Sequence, residues 1–163
     1  IWTISPNEPC FIIKIFDIGY LNLVNQFSTQ MTNKSKKILS EISAGELLDK
    51  ISILEIKLEK IKDKNSQEEI KKEYKILKEI QNSSIKYEDR IKNLINSIKE
   101  VNIKLWDAED KLRICEKNKD FGKNFIELAR EIYFNNDKRS KIKSEINKIL
   151  GSNIKEVKQY VKY

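Results

Sequence analysis

No histidine occurs anywhere in the sequence. That removes the commonest general base and the commonest metal ligand together. It argues against Ser-His-Asp and Cys-His hydrolases and against most zinc enzymes. The two cysteines, Cys10 and Cys115, form neither a metal-ligand nor a redox spacing, so no disulfide framework is expected and a reducing, cytoplasmic compartment is. Glycine is scarce, and both prolines lie within the first ten residues. From Cys10 onward only glycines and polar turn residues can therefore stop a helix. The apolar run Phe11–Phe16 is interrupted by Lys14 and followed by Asp17, too short and too charged for a membrane span. It also lacks the basic start and cleavage site of a signal peptide. Gly-rich phosphate loops, zinc patterns and calcium loops are absent as well. No catalytic residue, metal or cofactor is expected.

What the sequence does have is charge on a helical pattern. Charged residues make up 35% of the chain and leave a net charge of +7, which permits contact with a polyanion. Nearly all of the excess is lysine, beside abundant isoleucine and asparagine, a set that AT-rich codons favour. The lysine runs, such as Lys34–Lys37 and Lys71-Lys72, therefore read first as solvated faces.

Residues 1–37 are expected to be a poorly ordered or spurious extension, with Met31 as the true start; a genuine N-terminal extension is the alternative. Residues 38–163 then form a single helical domain, in which Ile38–Ile42 is a short extended segment. Ser43 with Glu46 spells a capping box. Leu47, Ile51, Leu54, Leu58 and Ile61 follow as one apolar stripe, with Ile53 and Ile56 on a second face. Ser66 with Glu69 spells a second box, opening a helix to about Gln81 with Ile70, Tyr74, Leu77 and Ile80 inward. Next come heptads: Ile91, Ile98, Leu105 and Leu112 on one row, Leu94, Val101, Ala108 and Cys115 beside them. This helix spans about residues 85–117, and Cys115 reads as core rather than nucleophile. A last helix over 123–150 ends at Gly151, well placed as its C′ residue. Short loops force neighbours to run antiparallel. The expected fold is all-α: an antiparallel helical bundle with a long coiled-coil-like hairpin, whose facing residues have numbers summing to about 240.

One polar stretch interrupts the seams. In the last helix Arg139 falls on the row of Phe125, Ile132 and Ile146, and Asn135 on the row of Leu128, Ile142 and Ile149. Asn136 and Lys143 flank them, and Asn102 faces Arg139 from the preceding helix. A buried guanidinium needs a carboxylate or a bound anion, because desolvation without one costs several kcal/mol. The first helix offers Glu46, Asp49 and Glu55, with Lys50 nearby. Arg139 is thus either a register-fixing ion pair or the centre of an anion pocket, and it is expected to be substantially buried. Two complementary ion pairs, Arg113 with Glu127 and Glu109 with Arg130, are expected across the hairpin.

Several stretches in order resemble a known bacterial family. They are Ser43-Ala-Gly-Glu-Leu-Leu-Asp-Lys-Ile-Ser-Ile-Leu-Glu-Ile-Lys57, Val101-Asn-Ile-Lys-Leu-Trp-Asp-Ala-Glu-Asp110 and Phe125-Ile-Glu-Leu-Ala-Arg-Glu-Ile-Tyr133. Asn136-Asp-Lys-Arg139, Ile146-Asn147 and Leu150-Gly-Ser152 continue the series. Together they resemble domain of unknown function 6165 from about Ile38 to Tyr160. The closing Glu156-Val-Lys-Gln-Tyr160 departs from the Glu-Glu-Lys-Ser-Tyr that the resemblance suggests. The resemblance implies a small cytoplasmic bacterial protein and supplies no catalytic residues.

Three functions compete. The first is a non-catalytic interaction or regulatory module with a protein partner or a second copy, as in a homodimer. The second is a binder or enzyme for a small anion, such as a sugar phosphate or carboxylate, at Arg139. The third is nucleic-acid or anionic-membrane binding through lysine faces, the least favoured.

Overall fold

Helix start signals and apolar rows place four helices. The computed structural model describes residues 38–86, 88–159 and 161. Among them α1 spans Ala44–Lys60, α2 Lys64–Ser84, α3 Asp89–Asn118 and α4 Lys123–Ile149, with no strand. The all-α reading holds. Residues 38–43 adopt no regular structure. The expectations for residues 1–37 lie outside the described residues. No helix is long and apolar enough to cross a membrane among the described residues.

Both capping boxes need correction. At α1 the Ser43 hydroxyl accepts from Glu46 N–H at 3.3 Å, but the Glu46 carboxylate leaves the box for Lys143. At α2 the cap is Asp63, whose carboxylate accepts from Ser66 N–H at 2.8 Å. Asp63 stands three residues earlier in the chain than the expected box, and as an acid beside the free N–H groups it suits the positive end of the helix dipole. That backbone hydrogen bond from Ser66 holds the Asp63 carboxyl below its ordinary range.

α1 sits at the centre. It packs against α2, α3 and α4, and α3 packs along α4. The core gathers Leu47, Leu48 and Ile51 of α1 with Ile91, Ile98, Val101 and Leu105 of α3 and Ile142 and Ile146 of α4. The expected second face of α1 exists, with Ile56 buried and Ile53 half-buried. Among the helices, the α2 backbone comes close only to α1, and its apolar row of Ile70, Tyr74 and Leu77 is half-buried. Ile80, expected inward, is exposed. The heptads of α3 hold well: Cys115 is a buried free thiol in a second small cluster with Ala108 and Leu128. The Asn124 amide lies 3.4 Å from the Cys115 sulfur, and Asn102 faces Arg139, in the register the sequence predicts.

The helix ends are legible too. Gly151 is left-handed at φ 64°, and Ser152 N–H reaches back to the Asn147 carbonyl at 2.9 Å. α3 ends on the same device without glycine: Lys119 adopts φ 57°, and Asp120 N–H bonds the Cys115 carbonyl at 3.0 Å. A side chain in that region carries steric strain that glycine avoids. Lys119→Gly is therefore expected to stabilise the protein by about 0.5–1 kcal/mol, read as a higher urea midpoint. Unchanged stability would show that the exposed Lys119–Glu116 pair offsets the strain.

Candidate polar site where the first and last helices meet

The start of α1 meets the end of α4, and the contact is polar by construction. The first helical N–H groups have no partner within their own helix. Ala44 N–H donates to the Ser152 hydroxyl at 3.1 Å, and Gly45 N–H to Asn147 Oδ1 at 2.7 Å. Side chains from the far end of the chain thus cap α1. The approach is so close that a Cβ on Gly45 would lie 2.7 Å from the Lys143 carbonyl oxygen.

One turn further into α1 lies a buried polar cluster. Asn102 of α3 donates from Nδ2 to Asp49 Oδ1 and to the Ser52 hydroxyl, each at 2.7 Å, and Ser52 in turn donates to the Asp49 carbonyl at 2.8 Å. Asp49, Ser52 and Asn102 are all buried. Arg139 attaches to this cluster from its edge. It is half-buried, and its Nη1 reaches Asn102 Oδ1 at 3.4 Å, a long contact.

The expectation for Arg139 is therefore corrected. It is not substantially buried and pairs with no α1 carboxylate; Asn102 stands between it and Asp49. The buried cation is Lys143, one turn later on α4, whose side chain is only 8% exposed. Its ammonium pairs with Glu46 of α1 and, at 3.0 Å, with Glu156 of the segment after α4. A lysine stem can follow the apolar seam and place its charge at the rim, which a heptad count alone does not show.

Burial pushes the Lys143 ammonium toward deprotonation. Hydrogen bonds to Glu46 and Glu156, with the Asp49 charge, outweigh it and hold the group above its ordinary 10.5. Burial likewise pushes the Glu156 carboxyl up, but Lys143 and Lys158 hold it below its ordinary 4.5. The carboxylate of Glu55, with that of Glu59, raises Lys99 on α3 in the same way. A raised lysine contributes stability below its unfolded value and loses it as pH climbs through the folded one. A depressed carboxylate contributes above its unfolded value and loses it as pH falls through the folded one. Stability should therefore be flat between about pH 4.5 and 10.5 with respect to these groups and decline outside. Urea melts across pH check this. A Lys143→Met variant whose alkaline decline matches that of the unaltered chain would refute the part assigned to Lys143.

Other expected members lie elsewhere. Asn135 donates to the Glu131 carbonyl of its own helix, and exposed Lys50 pairs with Glu73 of α2. Asn136 is half-buried without joining the network. The expected cross-hairpin pairs do not form. Arg113 takes Glu109 and Asp110 on its own helix, Glu127 takes Lys123, and the Arg130 guanidinium lies over the Phe134 ring. Arg113 has acids three and four residues before it on its own helix, whereas Arg90, which finds none there, bridges the hairpin to Glu145 at 2.9 Å. Reading the sequence missed Gly45, Asn147, Ser152 and Glu156 as working parts.

Beside Lys143 is a groove of about 260 Å³, bordered by Ser140, Ser144, Lys148, Lys155 and Glu156. No group of His, Cys, Asp or Glu that could hold a metal ion occurs among the described residues. The model of a family of unknown function (DUF6165) matches residues 38–162. No curated protein and no solved structure matches the chain.

Proposed function

The chain belongs to the family of unknown function DUF6165, and we propose that it is a non-catalytic interaction module pairing with a second copy of itself. The observation that carries this reading is the far end of the α3–α4 hairpin. α1 ends level with Asp107, where Lys60 meets that carboxylate at 2.7 Å. Beyond that level the cluster of Ala108, Cys115 and Leu128 draws only on α3 and α4, with Leu112, Phe125 and Ile132 against it. Two helices cannot cover both their flanks, and Ile114, Phe121, Ile126 and Phe134 stay exposed around this tip. Large apolar side chains grouped in this way suit an interface.

A second copy fits the charge. Residues 109–134 hold six basic and six acidic side chains, so two tips meet without net repulsion. Residues 135–163 hold eight basic against three acidic, and that end repels its own kind. Two hairpins joined tip to tip would make a four-helix, coiled-coil-like bundle. We place this module in the bacterial cytoplasm, where a buried thiol such as Cys115 stays reduced.

Sedimentation of the full chain tests the reading. A dimer is expected by about 100 μM, a weak-complex regime, and Ile114→Glu with Ile126→Glu should leave a folded monomer. A chain that is monomeric throughout, or a dimer indifferent to both substitutions, would refute it.

A further inference from the structure

We infer that the groove beside Lys143 is a binding site for a phosphoryl group, closed in this structure by the chain's own Glu156. Lys143 is a buried cation with two unlike partners. Glu46 is fixed on α1, whereas Glu156 stands seven residues beyond the last residue of α4, where the chain has no regular structure. A carboxylate offered from such a segment occupies the position that the oxygen of an anionic ligand would take. The groove it closes is edged by two hydroxyls, Ser140 and Ser144, and by Lys148 and Lys155. Those two lysines are exposed and form no ion pair among the described residues, so their ammonium groups are available to an anion in the groove. The surrounding stretch, 135–163, carries the eight-to-three basic excess noted above.

Chemistry selects the ligand class. Three ammonium groups act as strong point-charge donors, as in lysine phosphate sites, and hydroxyls add neutral donors. A phosphoryl group, with a charge near two and three acceptor oxygens, satisfies that set better than a single carboxylate does. Glu156 satisfies only part of it, pairing with Lys143 and Lys158. The segment after α4 is thus a latch: an incoming phosphoryl group displaces Glu156 and frees the chain beyond Asn153.

Calorimetric titration of the full chain with inorganic phosphate and with glucose 6-phosphate tests this at physiological salt, where loose surface attraction is screened. Glu156→Gln removes the competing charge without emptying the core and is expected to tighten binding about tenfold, the worth of one charge-assisted contact. Lys148→Ala with Lys155→Ala alters exposed side chains only and is expected to weaken binding at least about tenfold, with helicity unchanged. Tighter binding of glucose 6-phosphate than of phosphate would assign the site to a phosphate monoester, and equal binding to the phosphoryl group alone. No saturable binding to the Glu156→Gln variant, or binding indifferent to either change, would overturn the proposal.

Discussion

Asn102→Leu should destabilise the protein by about 3 kcal/mol although it replaces a polar core residue with an apolar one of similar size. Asn102 touches Asp49 and Ser52 through one amide nitrogen, both at 2.7 Å. Once that nitrogen is gone, the Asp49 carboxylate remains buried without its side-chain donor. Removing one partner of a buried charged contact costs about 3–5 kcal/mol, because the other pays its desolvation unaided. The nearby Lys143 charge softens this, which sets the estimate at the lower end. Replacing both partners should be milder. Asn102→Leu with Asp49→Leu is expected to recover a kilocalorie or more, giving a coupling of about 1–3 kcal/mol between the positions. Urea unfolding of the four proteins measures it. A neutral Asn102→Leu, or strictly additive effects, would remove the cluster from the forces that set how α1 lies on α3.

The same cluster shows where sequence reading succeeds and stops. The rows of α3 were legible because a seven-residue repeat and a straight seam share one geometry; Ile91, Ile98, Val101, Leu105 and Ala108 are all buried. Gly151 was legible because few residues other than glycine take its left-handed backbone. Asn102 and Asp49 were visible as polar residues near a seam, but their pairing depends on the rotation of α1, which periodicity does not fix. Arg139 and Lys143 lie four residues apart on one face, and which cation goes inward depends on side-chain reach. Lys143 won because Glu46 abandoned its capping box to meet it. Beside the Ser43 cap, Ser152 and Asn147 satisfy the Ala44 and Gly45 N–H groups and hold the start of α1 against α4, contacts spanning more than a hundred residues of chain. No local pattern records them. The expected Arg113–Glu127 pair failed for the opposite reason, since Glu109 and Asp110 lie within reach on its own helix.

Gly45→Ala offers the sharpest test of that long-range cap, because two effects oppose each other in sign. Alanine in a helix is ordinarily preferred over glycine by about 1 kcal/mol. If α1 were free at its start, Gly45→Ala would stabilise the protein by about that much. The structure expects the reverse. The new Cβ would lie 2.7 Å from the Lys143 carbonyl oxygen and 2.8 Å from Asn147 Oδ1. The first neighbour is helix backbone and cannot swing aside, so α1 must back away from α4. The second is the acceptor for Gly45 N–H, so the same displacement strains that 2.7 Å hydrogen bond. Overpacking of this kind costs about 1–3 kcal/mol, and a buried N–H left unpaired about 1–3 more. After the helix preference is subtracted, a net loss of about 2–4 kcal/mol remains. Trimming Asn147 to alanine in the same chain should not restore stability, because the backbone contact persists and the cap is lost. Backing α1 away should also pull Glu46 from Lys143, so the alkaline decline in stability should shrink in Gly45→Ala. A gain in stability on Gly45→Ala would mean that α1 and α4 do not approach this closely, and the buried Lys143 between them would lose its setting.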